Sequence, residues 1–185
     1  MSQSSSNAKP EAGGARAFLS IGSNAGERES AILAAVSALD SHPRIEVDSL
    51  SPLFETDPVG DGYTYPFINA VVLIRTGLTP SELLSACHQI ESRFGRKPEA
   101  RGGDRTMDID IIDFANLVIS EDGLVLPHPR AAARLFVLEP FGRIDPGFRL
   151  PGCSLTVSAM AAELKAGGGV RMISHRKEIP IELLE

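Results

Sequence analysis

The segment Arg105-Thr106-Met107-Asp108-Ile109-Asp110-Ile111-Ile112 alternates two carboxylates with apolar side chains. In an extended chain successive side chains point to opposite faces, so Asp108 and Asp110 share one face and Ile109 and Ile111 the other. Adjacent carboxylates repel each other, and a cation between them removes the repulsion. Just upstream, a glycine-containing stretch carries Arg96, Arg101 and Arg105. Carboxylates suited to a hard metal, beside arginines suited to phosphates, point to metal–nucleotide chemistry. The competing reading is an edge strand with a solvated polar face, and for each arginine a solvated surface charge.

The elements that hold these residues are written in the pattern of apolar positions. Arg16 to Gly22 reads as a short strand. Ser23-Asn24-Ala25-Gly26 turns into a helix over about Glu27–Asp40, with Ile32, Val36 and Leu39 on one stripe. Arg44 to Thr56 is extended, and Asp57 to Pro66 is a long loop of the kind that often carries function. Phe67 to Thr76 is the strongest strand, with Phe67, Asn69, Val71 and Leu73 facing one way and Ile68, Ala70, Val72 and Ile74 the other. Thr79-Pro80-Ser81-Glu82 starts a helix with a capping box. Its buried stripe is Leu83, Cys87, Ile90 and Phe94, and Gly95 ends it. A hairpin turns at Glu121-Asp122-Gly123, a helix begins near Ala131, and a last helix covers Thr156–Lys165.

The order strand, helix, strand, strand, helix, strand is a split β-α-β. It predicts an α+β, ferredoxin-like fold: an antiparallel-rich sheet with helices on one face, in a single domain. Residues 1–15, rich in Ser, Gly and Ala, read as a disordered tail; 16–165 form the domain; 166–185 are a C-terminal tail whose structure the sequence does not specify.

Composition narrows the function classes. A chain of 185 residues fits one domain with a sizeable core. A net charge of -6 argues against bulk binding to nucleic acid or to a membrane surface. Cys87 and Cys153 form neither a disulfide framework nor a zinc-ligand spacing, which suits a reducing cytoplasm. No basic-then-apolar leader and no apolar run of about 20 residues is present.

Five segments, in order, resemble the hydroxymethyldihydropterin pyrophosphokinase family of folate synthesis. Ile21-Gly22-Ser23-Asn24, followed by Gly26, is similar to its L-G-S-N-x-G. Thr56 to Gly60 is similar to T-x-P-x-G, and Phe67-Ile68-Asn69-Ala70 to its aromatic-x-N-A strand. Arg105 to Ile112 is similar to R-T-L-D-I-D-L-L. Leu126 to Arg130, with Arg134 and Phe136, is similar to L-P-H-P-R-x-x-x-R-x-F.

The resemblance implies attack by a pterin hydroxyl on the β-phosphorus of ATP, with AMP leaving. Asp108 and Asp110 would hold two magnesium ions. Arg96, Arg101 and Arg105 would act catalytically on the phosphates, and Glu91, His128 and Arg134 would bind the nucleotide, with Arg130 a less secure match. The pterin would lie against Phe67 and Phe136 and be read by Thr56, Val59 and Asn69, since a buried Asn needs partners for its amide. A cytoplasmic monomer is expected. Loops 57–66 and 95–104 are expected to move and to order when both substrates bind.

The chain also departs from the family pattern. Gly102-Gly103-Asp104 stands where an aromatic and Gly-Pro are usual, which brings a negative charge toward the phosphates. His88 replaces a glutamine and Asp57 a proline. Two other readings follow: a relative that binds but has lost transfer, and a ferredoxin-like regulatory domain.

Overall fold

The computed structural model describes residues 14–57, 62–95, 103–166 and 172–175. Strand β1 (Ala15–Ser23) leads to helix α1 (Arg28–Asp40), β2 (Ile45–Leu50), β3 (Phe54–Thr56) and β4 (Phe67–Thr76). Helix α2 (Pro80–Arg93), β5 (Asp108–Phe114) and the hairpin strands β6 (Ile119–Glu121) and β7 (Leu124–Leu126) follow. A 3₁₀ turn (Ala131–Ala133), α3 (Leu135–Ile144), α4 (Val157–Ala166) and β8 (Met172–His175) complete the order. The main sheet runs β5-β1-β4-β3-β8, with β2 also paired to β4. Each of its strand pairings is antiparallel. The expected α+β, ferredoxin-like arrangement is present.

Alternation along the strands divides the core. Ala17, Leu19 and Ile21 of β1 and Ile68, Ala70, Val72 and Ile74 of β4 meet Ile32, Val36 and Leu39 of α1 and Leu83, Cys87 and Ile90 of α2. The opposite face carries Phe18, Val71, Leu73 and Ile112, which pack on Leu138 and Phe141 of α3 and Val157 and Ala161 of α4. Helices therefore cover both faces, not one. The single-face expectation missed that Phe18, Val71, Leu73 and Ile112 form an apolar patch too large to leave in water.

Local chemistry explains the boundaries. The Thr79 hydroxyl accepts from Glu82 N (3.3 Å), and Glu82 Oε2 accepts from Thr79 N (2.7 Å), the expected capping box. Gly95 stands at φ +84°, a left-handed conformation that favours glycine and ends α2. The extended stretch expected over 44–56 breaks between Leu50 and Phe54. Pro52 has no N–H to donate there, and Ser51 bonds to Val71 with both its backbone and its hydroxyl. The helix expected from Ala131 is interrupted at Arg134, which is extended (φ -117°, ψ 104°). Within the C-terminal stretch, whose structure the sequence did not specify, Met172–His175 form β8 beside β3. Among the described residues no helix is long and apolar enough to cross a membrane.

Candidate functional site

The sheet face under α3 and α4 changes character partway along its strands. Phe18, Val71 and Ile112 lie beneath the helices. One or two alternations further on, the same face carries Ser20 and Gly22 on β1, Asn69 and Phe67 on β4, and Asp110 and Asp108 on β5. These form the floor of a cavity of about 460 Å³, walled by Thr56, Asp57, Tyr63, Arg105, Arg130, Ala133, Arg134 and Phe136. Strand register sets the layout. Gly22 pairs with Asn69 on one side and with Asp108 on the other.

One side of the cavity is an amide edge with aromatic walls. Asn69 is buried, and its Nδ2 donates to Thr56 Oγ1 at 2.8 Å. A Cβ at Gly22 would stand 3.0 Å from Asn69 Oδ1, so glycine is what lets the amide lie flat on the floor. Phe67 is met edge-on by Tyr63, with ring centroids 5.2 Å apart. Phe136 lies on the far wall beneath the Arg134 guanidinium, 5.3 Å from its ring centre.

The other side is ionic. Asp108 pairs with Arg105 at 3.0 Å. Asp110 Oδ2 lies 3.4 Å from Arg134 Nη1 and 3.7 Å from His128 Nε2. His128 Nδ1 accepts from Arg130 N (3.2 Å), so the proton of a neutral ring sits on Nε2, toward Asp110. Burial, reinforced by Arg134 and Arg130, holds the imidazole below its ordinary range despite the pull of Asp110. Burial and the neighbouring Arg130 also lower Arg134, whereas at Arg105 the attraction of Asp108 and Tyr63 overcomes desolvation and raises it. Both guanidiniums stay charged. The cavity therefore holds two guanidiniums and two carboxylates, paired with each other, on one surface.

Asp108, Asp110, Arg105, Arg134, Thr56, Phe67, Asn69 and Phe136 all line this one cavity. His128 reaches it through Asp110. Glu91 does not line it. Its carboxylate is buried behind the floor, where Oε1 accepts from Ile109 N at 2.7 Å, between the two aspartates on the sheet's edge strand. Val59, Arg96 and Arg101 lie outside the described residues, as do parts of both loops expected to move. Asp104 does not line the cavity. Its Oδ1 accepts from Asn24 Nδ2 (2.6 Å) and Thr64 N (2.8 Å). Sequence reasoning did not assign Ser20, Gly22, Asp57, Tyr63 or Ala133 to the site. For the first two a signal existed, since they continue the alternation of Phe18 along β1. Tyr63 sits in an aperiodic loop and gave none.

Fold and cavity together define a ferredoxin-like α+β protein with one cavity that has an amide and aromatic side next to an ionic side. The family model for 7,8-dihydro-6-hydroxymethylpterin-pyrophosphokinase matches residues 18–146, and the chain belongs to that family. The 2-amino-4-hydroxy-6-hydroxymethyldihydropteridine pyrophosphokinase of Bacillus subtilis is 44% identical over 69% of this chain and 77% of its own length. That of Methylorubrum extorquens is 39% identical over 83% of this chain and 96% of its own. A crystal structure of Plasmodium falciparum HPPK-DHPS with pteroate shares the fold at TM-score 0.67 and 14% identity, over 85% of this chain and 45% of that longer one. The family's enzymes are ATP-dependent pyrophosphokinases of folate synthesis, and this chain is one of them.

Proposed function

We propose that the cavity binds 6-hydroxymethyl-7,8-dihydropterin on its Asn69 side and ATP on its Asp110 side, and moves pyrophosphate between them. The hydroxymethyl oxygen attacks the β-phosphorus, the bond from that phosphorus to the oxygen bridging to the α-phosphorus breaks, AMP leaves, and the hydroxyl proton is released. The observation that carries this assignment of sides is the register at Gly22, which sets Asn69 and Asp108 two strand spacings apart, about 10 Å. Phe67 and Phe136 flank the ring, while Asn69, Thr56 and the backbone near Val59 read its edge. Arg105, Arg134 and His128, with Arg96 and Arg101 from the adjoining loop, take the phosphates. Arginine suits this because its fork meets phosphate oxygens bidentately. Glu91 acts on the nucleotide side indirectly, by fixing the strand that carries both aspartates.

The donor set fits magnesium brought with ATP. Among the described residues no third His, Cys, Asp or Glu joins Asp108 and Asp110. Magnesium commonly takes one or two carboxylates and completes its shell with phosphate and water. Asp108 and Asp110 would hold two such ions, which would neutralise charge on the transferring phosphates. The engagement of Asp104 elsewhere removes the main motive for a binding-only relative. The enzyme works as a cytoplasmic monomer in this reading, consistent with its two unpaired cysteines.

The test is AMP release from ATP, magnesium and the pterin, compared with Asp110→Ala. Pterin-dependent AMP that drops by at least about a hundredfold in the variant is expected. AMP formation equal in the two proteins would overturn the metal-side assignment.

A further inference from the structure

We propose that Asp104 is a positioning residue that clasps segment 62–66 to the Arg105 backbone and so sets the pterin and phosphate sides of the cavity together. The inference rests on the substrate assignment above for what is being aligned, but the clasp itself is geometric. Asn24 is fully buried and lies at its centre. Its Oδ1 accepts from Arg105 N (2.7 Å), and its backbone N donates to Arg105 O (3.0 Å). Its Nδ2 reaches Tyr65 O (3.2 Å) and Asp104 Oδ1 (2.6 Å). The same Asp104 oxygen accepts from Thr64 N (2.8 Å).

The clasp fixes the residue next to it. Tyr63 stands edge-on to Phe67, and its hydroxyl accepts from Arg105 Nη2 at 3.2 Å. Arg105 in turn pairs with Asp108. A continuous set of contacts thus joins the aromatic wall to the ionic side. The far end of the segment has its own anchor, since Arg28 Nη1 donates to Pro66 O (2.8 Å) and pairs with Glu55 (2.8 Å). Without Asp104 the segment between Tyr63 and Pro66 would rest on the Asn24–Tyr65 bond. A carboxylate is well suited to the task, because charge-assisted bonds exceed neutral ones in strength.

The chain offers a direct reporter. It has no tryptophan and two tyrosines, Tyr63 and Tyr65, both in the clasped segment. Time-resolved tyrosine anisotropy of the ligand-free protein therefore reads this segment alone. In Asp104→Ala we expect a larger fast depolarisation and a KM for the pterin raised about five- to tenfold, with a smaller change in kcat. Asp104→Asn keeps one acceptor oxygen but loses the charge, and is expected to fall between Asp104→Ala and wild type in both readings. Wild-type anisotropy and KM in Asp104→Ala, or an Asn variant as impaired as the Ala variant, would overturn the clasp. Absence of AMP formation by the wild-type protein would defeat the substrate assignment, and the anisotropy comparison would still decide the clasp.

Discussion

Gly22→Ala separates the two sides of the cavity more cleanly than removing any charged residue. Gly22 lies within β1 and its backbone is not in the left-handed region, so alanine fits the strand. The new methyl would stand 3.0 Å from Asn69 Oδ1 and 3.8 Å from Phe67 Cδ1, with no atom of Asp108 or Asp110 among its nearest neighbours. Asn69 has little room to retreat, because it is buried and held to Thr56 at 2.8 Å. Displacing it weakens that bond and, on the proposed placement, the amide's bond to the pterin. The Asn69–Thr56 bond is perturbed in free and bound protein alike, so only the bond to the pterin enters the affinity; at about 0.5–1.5 kcal/mol its loss is about 2- to 13-fold in Kd. Stability should hardly move, since replacing a strand glycine favours folding by up to about 1 kcal/mol and offsets the local displacement. The assay is calorimetric titration of the pterin into protein saturated with a non-hydrolysable ATP analogue, with nucleotide affinity measured separately. Wild-type pterin affinity in the variant would refute the placement of the pterin edge at Asn69. An equal loss of nucleotide affinity would refute the division of the cavity into two sides.

Three further outcomes follow from features away from the cavity floor. Thr79→Ala removes the side-chain bond of the α2 capping box, from Glu82 N to the Thr79 hydroxyl, while the Thr79 backbone N–H keeps its bond to Glu82; it should cost about 1 kcal/mol, read as a fall of about 2–4 °C in Tm with AMP formation unchanged. Asp113 is buried with Oδ1 unpartnered, and burial raises its carboxyl above the ordinary range. The unfolded chain therefore ionises it first, and its contribution to stability falls as pH rises from about 4 toward the raised folded value. In urea titrations the stability of Asp113→Asn relative to wild type should increase across that window and then level off; a pH-independent difference would contradict the assignment. Burial, with Glu91 and Asp110 nearby, pushes the Cys87 thiol up to about 12, while Cys153 is partly exposed. A thiol reagent should therefore modify one cysteine in the native protein and the second only on unfolding, and mass mapping of two fast-reacting thiols would count against this.

What was legible in the sequence is what repeats along an element. The alternation Asp108-Ile109-Asp110-Ile111 predicted which side chains share a face, and the structure places them so. The Thr79–Glu82 cap and the Gly95 stop were legible because each depends on residues three or four apart, or on one backbone conformation. The helices on the second face were not. Phe18, Val71, Leu73 and Ile112 belong to three strands, and their patch exists only once register brings them together. Asp104 shows the same limit at the site. Its sequence neighbours suggested repulsion of phosphate, whereas its partners are Thr64 and Asn24, 40 and 80 residues away.

Glu91 carries the argument one step further. A helix carboxylate in a nucleotide-binding family invites a direct role, yet here it is buried and bonds the Ile109 amide on the outer edge of β5. An edge strand leaves such amides without a sheet partner. If Ile109 N were left bare, the strand would be free to twist or slip, and a one-residue slip would turn Asp108 and Asp110 into the core and Ile109 and Ile111 into the cavity. The register that makes the site is therefore defended from both sides of β5. Gly22 and Ile21 of β1 hold the inner edge, and a carboxylate from α2 holds the outer one. A buried charge is costly unless its bonds are good, so its place behind the aspartates is best explained by the strand it fixes.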